Sequence, residues 1–279
     1  MTAPSKWLQY WGLKFNPAGT DIPTESLHRS ARLEAFIQRV GHLAREGGVV
    51  MVTGESGVGK SASIRLMTDT LGKVRDLQVV AIQLSQGSRK DMYQELGGSF
   101  GLTLTNNRFA SFRALRQSWC HHMEQCVFRP VIVVDEAQSM NAEVLEELKT
   151  LSSKDYDSRQ LMLLVLCGDQ RLPEKLATPD LVPLGSRIRA RLKLEAVSAK
   201  ELKECLQHVL REAGTESLVS AELQAILSEH SVGNYRVMMN SLSELLFAGF
   251  QKEAKILDEK LYFEVFNQPT GKTSRSTRK

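Results

Sequence analysis

Val49-Val50-Met51-Val52-Thr53-Gly54-Glu55-Ser56-Gly57-Val58-Gly59-Lys60-Ser61 is the stretch whose reading decides the fold. An apolar run with the character of a buried strand feeds directly into G-x-x-x-x-G-K-S, and Lys60–Thr68 then carries apolar residues at helical spacing. A strand, a glycine-rich turn and a helix start make the setting in which backbone N–H groups converge on phosphate oxygens. Gly57 and Gly59 let the backbone curl around an anion with no Cβ in the way. Gly54, Glu55, Ser56, Gly57, Val58, Gly59, Lys60, Ser61 and Ala62 therefore form the candidate cradle for a nucleoside triphosphate. Lys60 is expected to reach the β- and γ-phosphates and the Ser61 hydroxyl to hold Mg²⁺.

The second half of such a site is expected at Pro130-Val131-Ile132-Val133-Val134-Asp135-Glu136-Ala137-Gln138, an apolar strand ending in two acids. Asp135 at the carboxyl end of that strand completes the Mg²⁺ environment. Glu136 is the residue type that orients an attacking water. Leu163–Gln170 ends a further apolar strand in Asp169 and Gln170; either reaches the attacking water, or both belong to a simple turn. Ser186-Arg187-Ile188-Arg189-Ala190-Arg191 gathers three arginines before the last strand. One of them serves a neighbouring subunit's γ-phosphate, or the cluster is a solvated basic helix end. Arg236, after the Gly233-Asn234 turn, reports the γ-phosphate from within the chain, or is an ordinary exposed arginine in a first helical turn.

Apolar strands alternate with helices up to Ser198, which predicts an α/β fold: a parallel P-loop sheet sandwiched by helices. The expected strands are Val49–Thr53, Val79–Leu84, Val131–Val134, Leu161–Leu166 and Arg191–Glu195. An amphipathic helix is expected over Leu27–Arg45, others near Lys90–Phe100 and Phe109–Cys126, and one over Asn141–Ser152 with Asn141 as its cap. After Ser198 the strand signal stops and four helices follow, the first opened by Ser198-Ala199-Lys200-Glu201, a capping box. The expected division is an N-terminal segment (1–45), a nucleotide-binding domain (46–198), an all-helical lid domain (199–267) and a basic disordered tail (268–279).

With 279 residues and 42% hydrophobic content, the chain can bury one substantial core and a smaller second one. No window approaches a membrane span and no secretory pattern opens the chain, so a cytoplasmic protein with no membrane association is expected. Four cysteines without framework spacing read as reduced thiols. Cys120-His121-His122 with Cys126 lacks a paired C-x-x-C, so adjacent histidines on a solvated helix face are preferred to zinc. The net charge is +4, and four of the 36 basic residues (Lys272, Arg275, Arg278, Lys279) lie in the tail, leaving 32 basic against 32 acidic elsewhere. Any nucleic-acid surface must therefore be local, or built by repetition of one subunit. No [NT]-K-x-D motif reads guanine, which disfavours a GTPase, and paired acids with a helical lid are not what a small-substrate kinase needs.

In family terms, the ordered motifs over residues 28–266 resemble the AAA+ ATPases. Tyr10-Trp11-Gly12-Leu13-Lys14-Phe15-Asn16-Pro17, Asp135-Glu136-Ala137-Gln138 and Gly233-Asn234-Tyr235-Arg236 are similar to the ExeA-type group and to the TnsC, IstB and Mu B transposition ATPases. The resemblance implies ATP and Mg²⁺ as ligands. It also implies Lys60 and Ser61 on phosphate and metal, Asp135 on Mg²⁺, Glu136 as catalytic base, Arg187 as arginine finger and Arg236 as sensor 2. Asp169 stands where many relatives carry an asparagine, so slow or DNA-stimulated hydrolysis is expected. The implied partners are duplex DNA, a transposase, and further copies in a ring or filament. Candidate DNA contacts are Arg89 and Lys90 after the second strand, and Arg108; ordinary surface charge is the alternative. Two other readings stand beside this one. A secretion-linked ATPase of the ExeA kind is expected to continue into a membrane span and a wall-binding region, whereas a nucleotide-dependent scaffold would hydrolyse only incidentally.

Overall fold

The computed structural model describes residues 6–82, 86–155 and 158–266. In chain order the helices are α1 (Lys6–Trp11), α2 (Ala31–Glu46), α3 (Lys60–Gly72), α4 (Arg89–Ser99), α5 (Arg108–Glu124), α6 (Ala142–Ser152), α7 (Arg171–Leu176), α8 (Val182–Gly185), α9 (Ala199–Ala213), α10 (Ala221–His230), α11 (Tyr235–Gln251) and α12 (Glu259–Phe266). The strands are β1 (Gly48–Gly54), β2 (Leu77–Ile82), β3 (Arg129–Val134), β4 (Ser153–Lys154), β5 (Arg159–Gln160), β6 (Leu163–Gly168) and β7 (Ile188–Leu194). They fall into two compact units, residues 29–195 and residues 1–28 with 196–279.

The first unit is built on a parallel sheet in the order β2-β3-β6-β1-β7. Every residue of β1 and β6 is buried, as expected of strands covered on both faces. Val49, Met51, Ile132, Val134, Leu164 and Leu166 point into one core with residues of α4, α5 and α6. The alternate residues Val50, Val52, Val131, Val133, Leu163 and Val165 are equally buried, and α2 and α3 contact β1 and β6. Outside this sheet, β4 and β5 form a two-residue antiparallel ladder. The chain leaves β1 for the far edge at β2, returns through β3 and β6, and then crosses to β7 on the other side. That reversal around β1 places the carboxyl ends of β1, β3 and β6 at a topological switch point, where open α/β sheets bind ligands.

Several boundaries differ from the sequence expectation. β2 begins two residues early, and Leu84 lies outside the described residues, as does the whole basic tail from 268. β7 starts at Ile188 in place of Arg191, so Arg189 lies within the strand instead of ahead of it. α2 starts at Ala31 because the Ser30 hydroxyl accepts the Leu33 N–H, and it belongs to the α/β unit, so the chain divides after His28 and not at 45. Asn141 stands at the N-cap of α6, but its side chain makes no capping bond; its amide donates to Gly87 O at 3.1 Å.

The second unit joins α1 to α9–α12. Trp11 and Leu13 sit in one core with Leu202, Leu206, Leu210, Leu242, Leu245 and Leu257. The Trp11 indole donates to Leu246 O at 3.2 Å. A Cβ on Gly249 would come 3.1 Å from the Trp11 ring and 2.6 Å from Leu257, so α11 needs a glycine at this crossing. Ser198, Ser220 and Asn234 cap α9, α10 and α11 with side-chain oxygens, each worth about 1 kcal/mol.

Candidate nucleotide-binding site

Between β1 and α3 the loop turns through two left-handed glycines, Gly57 at φ 85° and Gly59 at φ 95°. The Lys60 ammonium folds over the loop and donates to Gly54 O at 2.9 Å and Glu55 O at 2.8 Å. Lys60 is buried, and it pairs with no carboxylate among the described residues. A buried cation held only by carbonyls is stabilised by an anion in the loop, and the loop's N–H groups at the start of α3 favour the same charge. The residues fit a triphosphate. Ser61 is exposed in the first turn of α3.

Strand register brings the other groups to the same edge. Val134 pairs with Leu166 and Thr53 with Gly168, so Asp135 emerges level with the end of β6. The Cys167 thiol, buried and hydrogen-bonded to Asp135, is pushed well above its ordinary value by burial first and by that carboxylate second. Cys167 therefore stays protonated. Asp135 and the Ser61 hydroxyl are the oxygen donors that would hold Mg²⁺, which would supply positive charge to offset that of a triphosphate.

Glu136 adopts the left-handed conformation at φ 50°, which costs on the order of 1–2 kcal/mol for a residue with a Cβ. Three hydrogen bonds hold it there. Its N–H donates to Asp135 Oδ1 at 2.9 Å, its carbonyl accepts the Ser139 N–H at 2.8 Å, and its Oε2 accepts the Gln138 amide at 2.5 Å. The other end of that amide, Gln138 Oε1, accepts the Asp169 N–H at 3.2 Å. With one partner on each side, the amide has a single orientation. A Cβ at residue 168 would lie 2.4 Å from Gln138 Oε1, which explains the glycine at the end of β6. Lys175 donates to the carbonyls of Gln138 and Met140 and braces the same turn; burial lowers its pKa.

At the end of β6, Asp169 faces Arg171. Its carboxylate accepts the Arg171 guanidinium at 2.5 Å and the Arg171 N–H at 2.9 Å, and those bonds hold its pKa below the usual range. Gln170 donates to Glu55 Oε1 at 3.0 Å and ties β6 to the phosphate loop. Gln138, Gln170, Cys167 and Lys175 thus support a site in which the sequence pattern singles out chiefly Lys60, Ser61, Asp135 and Glu136. The signal for Gln138 was its place two residues after Glu136; its bond to the end of β6 is visible only once strands are paired.

Residues 43–176 match the family model described as an AAA domain. The match covers 134 of the 279 residues. The chain is 27% identical over 212 residues to General secretion pathway protein A of Aeromonas hydrophila, covering 75% of this chain and 38% of the relative. The chain thus spans well under half of that relative's length. In fold it is similar to the ORC2 protein of Aeropyrum pernix in its ADP form (TM-score 0.71, 14% identity, covering 93% of this chain and 72% of that one). It is also similar to Drosophila ORC bound to DNA (TM-score 0.70, 16% identity, covering 95% and 67%).

Arg187 precedes β7 at the sheet edge opposite the phosphate loop: Ile188 pairs near the start of β1 with Val49, and Leu194 with Gly54 at its end. That is a separation of roughly 20 Å at about 3.3 Å per residue. Arg187 donates to Ser153 Oγ at 3.5 Å, and Arg189 is tied to Gly47 O and Glu46. Arg236 is exposed at the start of α11, whose cap Asn234 follows Gly233 at φ 76°. Arg89 pairs with Glu143 at 2.9 Å, and Lys90 is exposed. Arg108 is committed inward: Glu147, whose side chain is 2% exposed, accepts its guanidinium at 2.5, 3.0 and 3.1 Å and the Tyr93 hydroxyl at 2.5 Å. Arg108 thus pairs with Glu147 while 46% of its side chain stays exposed.

Proposed function

We propose that the protein is an Mg²⁺-dependent ATPase that assembles with copies of itself on duplex DNA and there recruits or regulates a transposase. In this reading Lys60 binds phosphate, Ser61 and Asp135 hold the metal, and Glu136 takes a proton from the attacking water. Arg236 senses the γ-phosphate on behalf of the helical unit. The observation that carries the proposal is the placement of Arg187 and Lys60 at opposite ends of the same sheet. An arginine roughly 20 Å from its own loop along β1 would meet a γ-phosphate only in a neighbouring subunit, which supports the reading of an oligomer. The similarity to an ORC structure solved bound to DNA supports duplex DNA as the surface. A body with balanced charge would grip it by repeating a weak contact, of which exposed Lys90 is the best candidate. Asp169 stands where a neutral amide is expected, and its carboxylate is bound to Arg171, which fits slow turnover.

A second reading is favoured by the match to General secretion pathway protein A: an ATPase that drives a secretion assembly. Sedimentation and electron microscopy with duplex DNA under ATP, ADP and no nucleotide separate the two. The transposition reading requires a DNA-bound assembly with ATP alone. ATP-driven assembly indifferent to DNA supports the secretion reading.

A further inference from the structure

Outside the nucleotide site, α5 presents an unusual surface. Of its seventeen residues only Ser111, Leu115 and Trp119 are buried, and the opposite side stands open. Phe109 is 72% exposed, and Phe112 lies one turn along. The two rings floor a groove of about 1110 Å³ walled by Arg113, Arg116 and His121 and by Lys154 of β4. The Arg108 guanidinium lies 5.4 Å from the centre of Phe109, and that of Arg116 lies 5.0 Å from the centre of Phe112. Arg113, Arg116 and Lys154 ion-pair with no acid among the described residues, and Glu124 is the one carboxylate on the lining.

This helix is composed against its own stability. Its first turn has no acid to meet the helix dipole, and no acid precedes Glu124 to make an i,i+4 pair with its arginines. Local rules broken together on one exposed face point to a binding surface. Its complement must be negative, to meet three unpaired cations, and apolar, to cover Phe109. The phosphates of duplex DNA meet the first condition and leave Phe109 in water. Stacked bases of a single strand are the rival occupant, and the DNA strand in the test below distinguishes them. The chain's own last twelve residues are basic and carry the wrong sign.

We propose that the α5 groove docks an acidic, amphipathic segment of a partner protein. Its apolar side chains would rest on Phe109 and Phe112, and its carboxylates would meet Arg113, Arg116 and Lys154, as a helix laid in a groove. The test uses the full chain and a fluorescent synthetic peptide of roughly 18 residues, with leucines at helical spacing and glutamates elsewhere. A leucine/lysine version, a glutamate-rich peptide without leucine and a single DNA strand of similar length serve as comparisons.

Saturable binding of the leucine/glutamate peptide is expected. Affinity should fall at least about tenfold in Phe109→Ser and in Arg113→Glu/Arg116→Glu, and the charge-reversed protein should prefer the lysine peptide. All three positions lie on the solvent side of α5, so circular dichroism should show intact folding. The proposal is overturned by absence of saturable binding, by equal binding of the leucine-free peptide, or by unchanged affinity in Phe109→Ser. It is equally overturned if the DNA strand binds more tightly and is lost in the same variants.

Discussion

Removing the Arg108 side chain tests whether this residue supports the fold or contacts phosphate. In the wild type, Glu147 is almost wholly buried and takes three N–H contacts from Arg108 and one O–H from Tyr93. Arg108→Ala leaves the carboxylate with Tyr93 alone. Breaking a fully buried pair costs about 3–5 kcal/mol. The Arg108 side chain is 46% exposed, so water enters the vacated side and the loss should be nearer about 2–3 kcal/mol. With a urea m-value of about 1–3 kcal/mol/M, the midpoint should fall by about 1 M. Trp119, buried on α5, reports the α/β unit when Trp7 and Trp11, which belong to the other unit, are replaced by phenylalanine. Arg108→Met with Glu147→Leu removes both charges and should recover most of the loss. An unchanged midpoint in Arg108→Ala would refute the buried pair. If DNA affinity then fell without loss of stability, Arg108 would return to the list of phosphate contacts.

Three further outcomes follow from the geometry. Gln138→Met keeps the volume and removes both bonds that set the Glu136 carboxylate, so kcat should fall roughly tenfold with nucleotide Kd unchanged; a fall in affinity instead would mean that Gln138 shapes the loop. Arg187→Ala and Glu136→Gln should each abolish turnover alone, and mixing the two should restore part of it, because one interface in the mixture then pairs an intact Glu136 with an intact Arg187; mixtures that stay inactive would rule out action between subunits. In the helical unit, burial and then the neighbouring His208 hold the His28 pKa below 6.5, against the raising effect of Glu201 and Glu204. Protonation therefore favours the unfolded state, so the unit's stability is full above pH 6.5 and is lost as pH falls through the depressed folded value. His28→Leu should flatten that slope in urea titrations read through Trp11.

The strands beneath the candidate site were legible because β1, β3 and β6 are continuous apolar runs, each ending in the residue types that phosphate and metal chemistry would use. β7 was harder to bound. It is an edge strand in which Ala190 and Leu192 turn inward and Arg189, Arg191 and Lys193 outward, so its first half reads as a charge cluster. The Arg108 ion pair was invisible in the sequence because its partner lies 39 residues later on another helix, and no local pattern announces a buried glutamate. The aromatic opening around Trp11 carried no sign that its partners were Leu246 and Gly249, at the far end of the chain.

The strand order has a consequence for synthesis. β1 carries the phosphate loop, yet its two neighbours are the last strands of the sheet to emerge from the ribosome: Gly48 waits for Leu163, and Val49 for Ile188. Until then a fully buried strand lacks its neighbours, and such distant pairings are slow to close. A nascent chain holding the entire G-x-x-x-x-G-K-S motif therefore lacks the complete sheet around β1 until Leu194 has been added. On the proposed function, ATP is then a late folding ligand, favouring the sheet once the last strand has been laid beside the first.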